Sequence, residues 1–206
     1  VTLTDTGWVN ASTGGALTSG SLSDVIPTMT RSTTSNVQIT ASSENASDNE
    51  EAWRAADNDQ GTRWHDTGGN HTSTLPSWWN VDFDAPGTDT GRRRAITSYS
   101  IRAGDSSTSA ALAPRRWSLL ASNHDTGTYA TDTGKWTQED TQGSETSWAV
   151  SEKRTYRTPG GDTGTVEARR HWRLYFREQN GTVEMRIAEI EMFTAATALQ
   201  TYTSGA

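Results

Sequence analysis

The chain has 206 residues, a formal net charge of −7 and a sequence pI near 5.1. That acidic balance works against non-specific attachment to nucleic acid, which depends on neutralising phosphates with Lys and Arg. Without Cys there is no disulfide framework, thiol catalysis or thiolate zinc site, and no apolar run approaches the roughly 20 residues that span a bilayer.

Val, Ile, Leu and Phe together fall below the roughly 20% under which chains tend to stay unfolded. Nine Trp answer that shortfall, because each ring buries on the order of 200 Å² at about 25 cal/mol per Å², an upper bound. Residues 1–35 are rich in Thr, Ser and Gly and low in charge, with Val25-Ile26-Pro27 as an apolar anchor. They read as an N-terminal arm, linker or edge strand. No signal-peptide pattern opens the sequence, so the chain is expected to start mature or to leave the cell by another route.

From Val37 the sequence changes to short alternating runs separated by turn residues, and this continues to Phe193. Ser47 and Glu50 suit a capping box before a short helical turn at Ala52-Trp53-Arg54-Ala55-Ala56. Asp57-Asn58-Asp59-Gln60-Gly61-Thr62 then sets two carboxylates beside a hydroxyl. Trp79, Val81 and Phe83 alternate with Trp78, Asn80 and Asp82. Trp117, Leu119 and Ala121 do the same further on, as do Trp172, Leu174 and Phe176. Such half-buried strands of period two, with almost no amphipathic helical stretch, predict an antiparallel sandwich or jelly roll. Arg92-Arg93-Arg94 and Arg169-Arg170 flank these strands and read as edge or loop charges that discourage sheet-to-sheet pairing.

The last strand-like run, Arg186 to Phe193, carries Glu189 among apolar residues. Three acids that offer only oxygen, Asp57, Asp59 and Glu189, repel one another unless a hard cation of the calcium type neutralises them. An EF-hand is the poorer reading: counting from Asp57, the Gly falls one position early and Gly68 stands where the loop needs Glu. Six Asp-Thr-Gly triplets share the aspartic-protease motif, yet none is preceded by two aliphatic residues, and they read as exposed turns. With no nucleophile elbow, zinc-protease helix or phosphate-cradling loop, the chain is expected not to be an enzyme.

Several blocks together resemble the discoidin family. They are Ile39-Thr40-Ala41-Ser42-Ser43-Glu44, Ala55-Ala56-Asp57-Asn58-Asp59 with Thr62 and Trp64-His65, and Pro76-Ser77-Trp78-Trp79-Asn80-Val81-Asp82-Phe83. The same order continues through Ile96 to Ile101, Pro114 to Asn123, Trp172 to Phe176 and Ile187 to Phe193. That family includes coagulation factor 5/8 type C domains and family 32 carbohydrate-binding modules. The resemblance implies a non-catalytic all-β jelly-roll sandwich of about eight strands over residues 36–194, with a C-terminal tail at 195–206. It also implies a structural calcium ion, held by the side chains of Asp57, Asp59, Thr62 and Glu189 and by backbone oxygens of Arg54, Thr62 and Ala188.

For a sugar, the resemblance implies an imidazole, an Arg and an Asn beside an aromatic platform on loops at one end. His65 fits the imidazole. Gly104-Asp105 stand where relatives carry the Arg, which leaves Arg102, Asp105, Arg115, His71 and Trp78 as local substitutes, each also readable as an ordinary surface or packing residue. Membrane insertion is not expected, since relatives that grip lipid use protruding apolar loops and a bracketing disulfide. The arm around Val25 to Thr30 looks like those that precede discoidin domains in bacteriophage tail or virion proteins. The expected role is adhesion to a cell-surface glycan or polysaccharide, extracellularly or on a virion surface, with protein partners met through the arm. The alternatives are a particle-assembly protein with a vestigial sugar site, and a module appended to a secreted glycoside hydrolase.

Overall fold

The computed structural model describes residues 24–68, 77–85, 91–124, 135–163, 166–181 and 184–194. Its strands are β1 (Thr33–Thr34), β2 (Val37–Ala41), β3 (Trp64–Asp66), β4 (Ser77–Asp82), β5 (Ile96–Arg102) and β6 (Pro114–Ser122), followed by β7 (Thr137–Gln142), β8 (Lys153–Arg157), β9 (His171–Gln179), β10 (Met185–Ile187) and β11 (Glu189–Thr194). Eight of these have five or more residues, in line with the expected count.

A six-stranded sheet, in the order β1-β2-β4-β9-β6-β7, faces a three-stranded sheet, β11-β5-β8, and β10 pairs with β3 beside them. All the pairings are antiparallel. The two sheets meet through their alternating residues. Trp79, Val81, Trp117, Leu119, Trp172, Leu174 and Phe176 come from the larger sheet, and Tyr99, Ile101, Ile190 and Met192 from the smaller, all at 0% exposure. Trp117 shows how aromatic rings replace aliphatic bulk. It meets Tyr156 edge-on at 5.2 Å and Phe176 at 6.4 Å, and its indole N–H donates to the Tyr99 hydroxyl at 3.0 Å, so the ring is buried with its one polar atom satisfied.

Residues 24–35 lie against this sandwich. Asp24 bridges to Phe193, the Val25 N–H donates to the Met192 carbonyl at 2.8 Å, and Ile26 and Met29 are buried in the core. This stretch therefore extends the open edge of β11. Residues 1–23 and 195–206 lie outside the described residues.

Three expectations need correction. The capping box does not form: Ala52–Ala56 is a 3-10 turn whose first N–H is taken by Glu44 Oε2 at 2.9 Å, while the Ser47 hydroxyl donates to Asn45 Oδ1. Glu50 is unavailable because Arg63 and His65 hold its carboxylate. Arg170 is no edge charge. It is 6% exposed and grips Asp82 with both ends of its fork, at 2.9 and 3.0 Å. Asp66, in one of the Asp-Thr-Gly triplets, is fully buried, its Oδ1 accepting from the Gly68 N–H at 2.8 Å and from the Ser43 hydroxyl.

Candidate functional site

Two polar clusters stand apart from the aromatic core. The first lies where the 3-10 turn, the loop after it and the start of β11 meet. Asn58, at φ 60°, takes the left-handed backbone that lets this loop turn sharply. The Thr62 hydroxyl then lies 2.9 and 2.8 Å from the two Asp57 carboxylate oxygens, 2.9 Å from the Asp59 carbonyl and 3.5 Å from the Arg54 carbonyl. A hydroxyl has a single proton to give. Backbone N–H groups serve two of those acceptors, Asp59 donating to Asp57 Oδ1 at 2.9 Å and Thr62 to the Asp59 carbonyl at 3.1 Å, so the hydroxyl proton is shared among the rest.

Glu189 completes this nest. Its side chain leaves the sheet on the side away from Ile190, and at 6% exposure neither carboxylate oxygen has a hydrogen-bond partner. Burial first, and then the Asp57 and Glu191 charges, push its pKa up to about 8 against the opposing pull of the Asn58 backbone. Glu191, two residues on, is half-buried; that burial raises its pKa, but Lys153 and Ser100 overcome it and hold its carboxyl below the usual range.

The Asp59 carboxylate turns back to accept from the Gly61 N–H at 2.9 Å, so this residue faces Thr62 with its carbonyl. Ala188 sits between β10 and β11, its N–H donating to the Arg102 carbonyl. No group of three or more His, Asp or Glu side chains placed to hold a metal occurs among the described residues. The nest comprises two carboxylates, a hydroxyl and backbone carbonyls. That oxygen-only donor set, with a buried carboxylate lacking any side-chain donor, fits a hard cation.

The second cluster centres on β3. His65 is buried, with Nδ1 2.6 Å from Glu50 Oε2, and its Nε2 lies 3.1 Å from Glu184 Oε2 without hydrogen-bond alignment. Arg63 stands two residues before it and therefore on the same side of the chain. Its guanidinium reaches Glu50 Oε1 at 2.6 Å and Asp105 Oδ1 at 3.1 Å. Although burial works against ionisation, bonds from Arg63 and His65 hold the Glu50 carboxyl below its usual range. Asn45 Nδ2 touches both Glu50 and the His65 ring, at 3.4 and 3.3 Å.

Of the sequence-derived ligand residues, the structure brings His65 and Asp105 together through Arg63 and Glu50. Arg102 donates instead to the Ser151 carbonyl at 2.8 Å, and Arg115 is exposed near Glu178. The Trp78 ring is covered by the Arg173 guanidinium at 4.1 Å. His71 lies outside the described residues. At Gly104 an added Cβ would come within 2.2 Å of the Ser109 Cβ, so this turn admits no side chain. The cluster's guanidinium arrives from Arg63 instead. Sequence reading overlooked Arg63, Glu50, Asn45 and Glu184, and only Arg63 left a signal, its two-residue spacing from His65.

Comparison with solved structures decides the fold. The chain is similar to the family 32 carbohydrate-binding module of C. perfringens NanJ in complex with galactose, at 18% identity and TM-score 0.54, covering 77% of this chain and 94% of that one. A pectin-binding module matches at 21% identity and TM-score 0.53, covering 80% and 95%. A chitosan-binding module from a Paenibacillus chitosanase/glucanase, in complex with chitotriose, matches at 17% and 0.54, covering 77% and 96%. The fold is that of the family 32 carbohydrate-binding modules. No protein-family model and no curated protein matches the sequence.

Proposed function

We propose that the chain is a non-catalytic module that holds a cell-surface glycan or polysaccharide through the face formed by Arg63, His65, Asp105 and Glu184. The observation that supports this reading most is the linked set Glu50–His65–Arg63–Asp105, in which buried partners fix the partly exposed polar groups in place. Fixed donors and acceptors suit sugar hydroxyls, because a ligand then meets them without ordering them first. The fold agrees, though its neighbours bind galactose, pectin and chitotriose and so leave the sugar open. No aromatic side chain is exposed among the described residues. Recognition would therefore rest on polar contacts more than on ring stacking. The same proposal places the module outside the cell, at a cell or particle surface where such glycans are met.

The proposal includes a calcium ion held by the side chains of Asp57, Thr62 and Glu189 and by carbonyls of the 54–62 loop. The ion would tie that loop to β11 and steady the adjoining turn that packs against β3. A glycan array with calcium present tests the binding reading. The wild type should retain a defined set of glycans, and His65→Ala, by releasing Glu50 and Glu184, should weaken that set about tenfold or more. Retention of no glycan across a broad array, or an unchanged profile for His65→Ala, would remove the reading.

A further inference from the structure

The charge around β3 is unbalanced. Asp48, Glu50, Asp105 and Glu184 contribute four carboxylates, against the two guanidiniums of Arg63 and Arg186. Both guanidiniums are already engaged: Arg63 lies between Glu50 and Asp105, and Arg186 is 3.3 Å from Glu184. The carboxylates reach water further than the cations do. The side chains of Asp105 and Glu184 are 43% and 38% exposed, whereas those of Arg63 and Arg186 are 26% and 22% exposed.

Asp105 is reached from Arg63, the residue just before β3, and Glu184 from His65 within it, two positions about 7 Å apart on one side of the chain. Behind them the imidazole is 95% buried, with an Nε2 that has no aligned partner and faces the Glu184 carboxylate. An anionic sugar approaching this face would meet exposed carboxylates with no unengaged guanidinium to receive it. A sugar bearing an ammonium group would meet charge-assisted acceptors on both sides.

We propose that this face selects a cationic amino sugar, a glucosamine-type unit with a free ammonium group, over neutral and uronic-acid glycans. The proposal rests on the assignment of the glycan site to the Arg63–His65 face. Asp105 and Glu184 carry the selectivity, and His65 and Glu50 hold the face in shape. Because both carboxylates are partly exposed, the preference weakens as salt screens them.

Calorimetry on the intact chain in excess calcium, near pH 6 where the sugar amine is protonated, tests this with three trimers: glucosamine, N-acetylglucosamine and galacturonate. The free-amine trimer should bind about tenfold tighter than its acetylated counterpart, and the advantage should shrink in salt. The double variant Asp105→Asn, Glu184→Gln should bring the two within about twofold. Glu167→Gln, a change at an exposed acid remote from β3, should leave the ratio as it was. Equal binding of the first two trimers, or preference for galacturonate, with His65→Ala still weakening retention, overturns the sugar class and leaves the site standing. A ratio eroded as much by Glu167→Gln as by the double variant overturns it too, since the preference then belongs to the diffuse charge of the chain. No binding of any glycan, with His65→Ala unchanged from wild type, overturns both.

Discussion

Asp82 and Glu189 are buried to nearly the same degree, 3% and 6% exposed, on strands of facing sheets, yet the chain provides for them in opposite ways. Asp82 receives both ends of the Arg170 fork, and that guanidinium also donates to the Asp84 carbonyl at 2.6 Å. Glu189 has no cationic side chain beside it, only the weak pull of the Asn58 backbone, and faces Asp57. A buried carboxylate that a chain has neutralised for itself is part of the scaffold. One left beside another acid calls for a cation from outside.

Removing the internal partner should have the largest effect. Arg170→Met strands the Asp82 charge in the sheet, and a change of about 3–5 kcal/mol in unfolding free energy is expected from urea titration. The paired variant Asp82→Leu, Arg170→Met removes both charges and should recover much of that loss. If Arg170→Met alone falls within about 1 kcal/mol of wild type, Asp82 is not the self-neutralised group that the contrast requires.

Supplying the external partner comes next in size. Calcium at about a hundred times its dissociation constant should raise stability by about 2.7 kcal/mol, which in a domain of this length is roughly 5–10 °C in melting temperature. A chelator should reverse it. Glu189→Gln gives a change of opposite sign in the two conditions. Without calcium the variant should melt no lower than wild type, because an uncompensated acid has been removed, and with calcium it should gain little. Equal calcium responses in both proteins would show that the ion binds elsewhere.

How far these features can be read in the sequence follows from the range of the interactions. Alternation at Trp79, Trp117 and Trp172 is local, so the strands and their inward faces are plain from spacing alone. Glu189 is visible as a charge that breaks such a run, and its pairing with Asp57 is implied by family resemblance. Arg170 is not legible: beside Arg169 it looks like an edge charge, and only the β4–β9 register, which sets Asp82 opposite His171, brings its fork within reach. The β3 cluster is half legible for the same reason. Arg63 and His65 share a side by period two, whereas Glu50, Asp105 and Glu184 arrive from three separate loops whose meeting depends on the whole sandwich.

The smallest expected effect concerns Asp24, which lies between the two extremes. Its Oδ1 accepts from the backbone N–H of Ile26 and of Met192, both at 3.0 Å, and so ties the leading segment to β11. Burial pushes its pKa from 3.8 to about 6, and Glu191 adds to the rise, while those backbone bonds and Lys153 oppose it. The folded state thus holds this proton more tightly than the unfolded chain does. Below pH 3.8 both states are protonated and the contribution is whole; as pH climbs towards about 6 the unfolded chain ionises first and the contribution is lost. Asp24→Asn keeps an oxygen for both N–H groups but cannot ionise. Relative to wild type it should gain about 1–2 kcal/mol as pH passes through that window, a figure reduced for partial exposure, and then stay level. Melting curves of the two proteins across that range measure the difference directly, and they cancel every other titrating group common to both. Parallel curves would mean that Asp24 already keeps its charge as securely as Asp82 does, and of the two acids whose pKa burial raises beside β11 only Glu189 would then hold its proton more tightly than the unfolded chain.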